Sequence, residues 1–138
     1  MYGYTEDADL VLSDAQALPN ATAADSTNMI KTGGNTNGRM EIVVVATTAL
    51  AVATGKAFNI ELQTFTADTA ASAASPYTAA HVYIIHKTSA DAGIAVSAGD
   101  VICRYIVTED EDAYVQLVFT TDEDLSAQTV TAFARVLT

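Results

Sequence analysis

The chain has 138 residues, enough for one domain with its own core and too few for two ordinary domains. Seventeen acidic against six basic side chains leave a formal charge of −11 and a pI near 4.2, a field that repels phosphate backbones and anionic lipid, so neither nucleic acid nor a membrane is an expected partner. The single cysteine, Cys103, has no intramolecular disulfide partner, which fits synthesis in the cytoplasm.

In chain order, Met1–Asp9 reads as an N-terminal tail, and residues 10–138 read as one domain. The tail is acidic where a secretory signal is basic and then apolar, so no export signal is expected. Strands are expected at Leu10–Leu12, Asn28–Lys31 and Met40–Ala46, the last inside an apolar stretch too short for the roughly 20 residues that span a bilayer. Phe58, Ile60 and Leu62 then alternate with Asn59, Glu61 and Gln63, the period of two of a half-buried strand. The Ala-rich segment Ala67–Ala80 contains Pro76 and many hydroxyl residues, which points to a long loop rather than a helix. Further strands are expected at His81–Lys87, Val101–Val107, around Val115, Leu117 and Phe119, and at Thr129–Leu137. About eight strands and no long amphipathic helix define an all-β chain. Connections of uneven length favour a jelly-roll sandwich over an up-and-down barrel.

The stretch "TEDEDAYVQLVFTTDED", Thr108–Asp124, holds seven carboxylates around one apolar run. At about 3.3 Å per strand residue the two acidic clusters stand roughly 25 to 30 Å apart, beyond the 5 to 9.5 Å that paired glycosidase carboxylates require. Each cluster alone reads as a solvated turn. Calcium is the sharper alternative, with Asp110 and Asp112 as first ligands, although adjacent acids without a Gly turn do not make an EF-hand loop.

Other chemistry is sparse. His81 and His86 are five apart, which in a regular strand sends them to opposite faces and away from a shared metal. Cys103 alternates with Val101 and Tyr105 and reads as a small buried apolar residue, and "GGNTNG" at Gly33–Gly38 reads as a hairpin turn. No nucleophile elbow, phosphate loop or zinc-finger pair is present. The expectation is therefore a protein that is not an enzyme and has no catalytic residue, metal or cofactor. Carbohydrate binding suits a jelly roll as the alternative class, but the absence of Trp removes the best stacking residue.

The segment "LVLSDAQALPNATAADSTNMIKTGG", Leu10–Gly34, resembles the opening of tailed-phage capsid cement proteins of the Bordetella phage cement-protein type. The matching pieces are Ser13–Leu18 ("SDAQAL"), the Ala/Thr run Ala21–Ala24, and Ser26–Asn28 ("STN"), with echoes at Ser97–Val107 and Ala113–Phe133. The chain departs from that pattern in the acidic "TDEDLSAQ", in Lys31 where Asp is common, and in the extension Met1–Asp9. The resemblance implies a jelly roll that forms a homotrimer on the outer surface of the phage head, bridges neighbouring major capsid proteins and performs no catalysis. The residues to examine first for capsid contact are Tyr2 and Tyr4 as aromatic anchors in the tail, and Pro76 and Tyr77 in the long loop. The plainer alternative for these four is a frayed end and a solvent loop.

Overall fold

The computed structural model describes residues 10–31, 39–65, 81–88, 93–107 and 114–137. These residues form eleven strands: β1 (Val11–Ala17), β2 (Ala23–Asp25), β3 (Ile30–Lys31), β4 (Arg39–Ala46), β5 (Leu50–Val52), β6 (Phe58–Phe65), β7 (His81–Lys87), β8 (Ile94–Val96), β9 (Val101–Val107), β10 (Tyr114–Thr121) and β11 (Thr129–Leu137). No α-helix occurs among the described residues. Every strand pair is antiparallel.

One sheet runs β1-β11-β4-β9, and the facing sheet runs β2-β10-β6-β7 with β3 also on β10. β2 and β3 pair with opposite ends of β10, so together they act as one interrupted edge strand. Counting them as one and setting aside the small β5-β8 ribbon leaves eight principal strands. In chain order these run first, eighth, third, sixth in one sheet and second, seventh, fourth, fifth in the other. An up-and-down barrel would place sequence neighbours side by side; this order is that of a jelly roll.

The period of two read from the sequence is what builds the core. Phe58, Ile60 and Leu62 of β6 and Val115, Leu117 and Phe119 of β10 are buried on the inner face. They share one apolar cluster with Ile42, Val44 and Ala46 of β4 and with Val130, Ala132 and Ala134 of β11. Large side chains dominate one sheet and small ones the centre of the other, so the layers interdigitate despite the abundance of Ala. β4 lies between two neighbours and is buried on both faces: Val43 and Val45 form a second small cluster with Phe133 on the outer side. This is why its sequence is nearly continuous in apolar residues. On that outer side Arg135 Nε meets Glu41 Oε1 at 2.8 Å across the β11–β4 pair.

The strands expected at His81–Lys87, Val101–Val107 and Thr129–Leu137 have those bounds. The first strand continues past Leu12 to Ala17 through two register shifts against β11, with Ala15 at φ 47°. Asn28–Lys31 shortens to Ile30–Lys31, because Asn28 turns its N–H to the Leu12 carbonyl of β1 in the other sheet. β2, β5 and β8 were not anticipated. At three residues each they are too short to display a period and exist through their tertiary partners.

Candidate interaction surface

The two sides of the sandwich are closed in different ways. At the β1 side the sheets are stitched by polar groups. Gln16 of β1 donates from Nε2 to the Asp25 carbonyl at 2.7 Å, and its Oε1 accepts from the Thr27 N–H at 2.9 Å and from the Ser13 hydroxyl at 2.5 Å. The Asn28 N–H donates to the Leu12 carbonyl at 2.8 Å, and its side chain donates to the Val11 carbonyl at 3.1 Å. The Ser26 hydroxyl accepts from the Leu117 N–H at 3.0 Å while donating to the Asn28 carbonyl at 2.9 Å. The "SDAQAL" and "STN" pieces therefore meet in space, where they are occupied in joining the sheets.

The opposite side, where β7 and β9 end their sheets, has another character. Tyr83 of β7 and Tyr105 of β9 stack across the opening with ring centroids 6.2 Å apart. Tyr83 pairs with the buried Leu62 and Tyr105 with the buried Ile42, so both rings start from the inner face and cover the mouth of the core. Outside them Val82 and Ile84 project from the outer face of β7, opposite Gln63 and Glu61. Val82 is 52% exposed, Ile84 60%, and Ile106 of β9 38%. With Tyr83 these are the exposed large apolar residues among those described. Burying one such side chain fully is worth about 1.5–3 kcal/mol, so Val82 and Ile84 on a strand at the described sheet edge mark a candidate interaction surface.

Neither β7 nor β9 contains an Asp or Glu, in a chain that has 17. Exposed Lys87 ends β7, and exposed Arg104 lies on β9. Half-buried Glu61 is the nearest acid by register, opposite Ile84. The two strands themselves are thus apolar with a few basic residues and no acid.

β7 is not regular. A register shift against β6 places Ile84 opposite Glu61 but His86 opposite Ile60. The expectation that His81 and His86 fall on opposite faces assumed a regular strand, and the shift lies between them; His86 stands opposite the buried Ile60. The His86 ring lies 5.7 Å from that of Phe58, its Nε2 is buried without a hydrogen-bond partner, and burial pulls its pKa below the usual imidazole value. Cys103 is half-buried, and desolvation pushes its thiol up to about 12, so it remains a protonated, weakly nucleophilic group near neutrality.

The described acidic turn, Asp122–Asp124, is more than a solvated turn. Asp122 Oδ1 accepts from the Ala57 N–H at 2.8 Å and Glu123 Oε2 from the Ala53 N–H at 3.1 Å. Asp124 Oδ1 accepts from the Ser126 hydroxyl at 2.6 Å and the Ser126 N–H at 3.0 Å, which hold its pKa below the usual value. Asp122 and Glu123 bind the β5–β6 connection to the β10–β11 turn by satisfying loop N–H groups, while Asp124 closes the turn on itself through Ser126. No group of three or more metal-binding side chains gathers among the described residues. Asp110, Asp112, Tyr2, Tyr4, Pro76 and Tyr77, with the Gly33–Gly38 turn and the Ala67–Ala80 loop, lie outside the described residues.

Sequence reasoning missed the ridge. The available signal was "VYII" at Val82–Ile85, four apolar residues in succession without alternation, a pattern that by itself does not tell a strand covered on both faces from one with an apolar face in solvent. Comparison with known protein families finds none that matches the chain, and none of the curated proteins matches it.

Proposed function

We propose that the protein is a phage capsid cement protein, which binds the outside of the assembled head, as a homotrimer, and stabilises contacts between major capsid proteins. The observation that carries the proposal is the meeting of "SDAQAL" with "STN": residues far enough apart to be independent in sequence act together at one structural joint of the jelly roll. That these residues work together in the fold of this chain supports giving weight to the resemblance they carry. The acidic surface agrees with a protein that sits beside packaged DNA without adhering to it. The reading needs no catalysis: many modest contacts repeated over a symmetric shell hold by multivalency.

The test mixes the protein with heads that lack it, pellets them, and measures the bound fraction and the temperature at which DNA is released. Saturable binding and a raised release temperature are expected. Deletion of Met1–Asp9 reduces binding if Tyr2 and Tyr4 are anchors. Failure to bind authentic heads, together with selective binding on a glycan array, would transfer the protein to the carbohydrate-binding class. Light scattering after size exclusion, on free and head-eluted protein, tests the trimer.

A further inference from the structure

We propose that the outer face of β7 is the contact between copies of this chain, with Val82 and Ile84 packed against the neighbouring copy and Lys87 set beside that copy's Glu61. The inference rests on the trimer of the cement reading and names where on the chain it forms.

The register shift in β7 assembles the face. Val82 and Ile84 stand opposite Gln63 and Glu61, the outward positions of β6, and both remain more than half exposed. Ile84 and Lys87 are three residues apart, and in a regular strand they would point to opposite faces. The shift between Ile60 and Glu61 inserts Ile85, which packs against the core, and leaves His86 opposite the buried Ile60. Lys87 then falls opposite Asn59, the next outward position of β6, and shares the face of Ile84. Re-aiming a side chain is what a bulge does, and this one adds an ammonium group to an apolar patch.

The charges of the patch select its occupant. Glu61 flanks Ile84 on the β6 side and Lys87 lies at the end of β7, so one face carries both signs around an apolar centre. Neither side chain meets an ion-pair partner among the described residues. In a ring of identical copies each is rotated relative to the next, so the contact joins different parts of one chain's surface and needs complementary groups on that chain. Glu61 and Lys87 are such a pair. A partner surface of one sign would satisfy one of them and set the other against a like charge. The charge of −11 on each copy opposes approach from a distance, but at physiological salt it is largely screened beyond about 8 Å, and the groups inside the contact decide its stability.

The experiment reads the mass of wild type and four variants by light scattering after size exclusion, and by cross-linking on heads. The variants are Val82→Thr with Ile84→Thr, Glu61→Lys, Lys87→Glu, and Glu61→Lys together with Lys87→Glu. Thermal unfolding of each confirms that it folds, and head binding is measured alongside. Association is expected to weaken roughly tenfold or more in the apolar double variant and in both single reversals. The exchanged pair is expected to associate like wild type, because it again sets a lysine beside a glutamate. Such recovery is not produced by a residue that only supports the fold, nor by a contact with any other partner. A trimer that survives Val82→Thr with Ile84→Thr overturns this contact and leaves the cement reading and its trimer intact. An exchanged pair as weak as the single reversals overturns the pairing of Lys87 with Glu61. Loss of head binding in the apolar variant with an unchanged trimer assigns the face to the head and overturns the proposal. A wild type that is monomeric both in solution and on heads overturns the inference together with the trimer, while its binding to heads still decides the cement reading.

Discussion

The β1 edge and the β7/β9 edge of this sandwich solve the same problem with opposite chemistry. Both must close the gap between two sheets whose edge strands do not pair with each other. At β1 the closure is polar and directional, with Gln16 bonded to Asp25 and Thr27, and Asn28 to Val11 and Leu12, across the gap. At β7/β9 it is a pair of stacked rings with apolar residues left in solvent. A hydrogen-bonded edge is self-sufficient, because each buried polar group already has its partner. An apolar edge is incomplete by construction, since its remaining stabilisation is realised only when something covers it. The difference separates the part of the molecule that holds the fold from the part free to bind.

The comparison breaks most readily at Gln16. Gln16→Ala strands the fully buried Ser13 hydroxyl and frees the Thr27 N–H and Asp25 carbonyl, and is expected to cost about 2–4 kcal/mol in urea denaturation. A loss under about 1 kcal/mol would show that the stitching is incidental. Tyr83→Ala, at the open edge, removes one ring contact from a partly exposed site and is expected to cost only about 1–2 kcal/mol. Equal losses at the two sites would erase the proposed asymmetry.

The edges also differ in their response to pH. The folded pKa of His86 lies below its unfolded value of 6.5, so its neutral form is the one the fold accommodates. Stability is full above about pH 6.5 and declines as pH falls from there through the folded pKa. Asp25, beside the stitched edge, has its pKa raised by burial, partly offset by a side-chain hydrogen bond with Gln116. The fold therefore favours its protonated form, and stability declines as pH rises from 3.8 through the folded value. Denaturation midpoints across pH 3 to 8 are expected to contain both slopes, and His86→Phe to remove the one nearer neutrality. A slope that persists in that variant would place its origin elsewhere. The smallest effect on stability is expected from Val82→Thr with Ile84→Thr, within about 0.5 kcal/mol of wild type, since both side chains are already largely in water. A clear loss would mean that the ridge supports the fold as well as any partner.

Much of the acid chemistry became intelligible only with the loops in place. Runs of carboxylates such as "TDED" usually face water, and Asp122 and Asp124 are indeed exposed. The function of this turn in the fold is nevertheless to accept N–H groups, with Asp122 and Glu123 reaching residues 65 and 70 positions away in sequence. Sequence spacing carries no trace of such a pairing, because a carboxylate that caps a distant loop looks the same as one that caps none.

Where one physical rule acts along a single strand, the sequence by itself determined the result. Alternation of Phe58, Ile60 and Leu62 with polar neighbours imposed β6 and its inner face, and "HVYIIHK", "VICRYIV" and "TVTAFARVL" set the bounds of β7, β9 and β11. Period and β-propensity are local, so they are legible locally. Only the tertiary structure decided which strands lie at an edge, and with that whether an apolar run is core or surface. "MEIVVVA" and "HVYIIHK" look alike as strings, yet β4, between two neighbours, buries Val43 and Val45, while β7, with one neighbour among the described strands, exposes Val82 and Ile84. Burial depends on the number of neighbours a strand receives, and that number is set by the order of strands in the sheet, a property of the whole chain that no segment encodes alone.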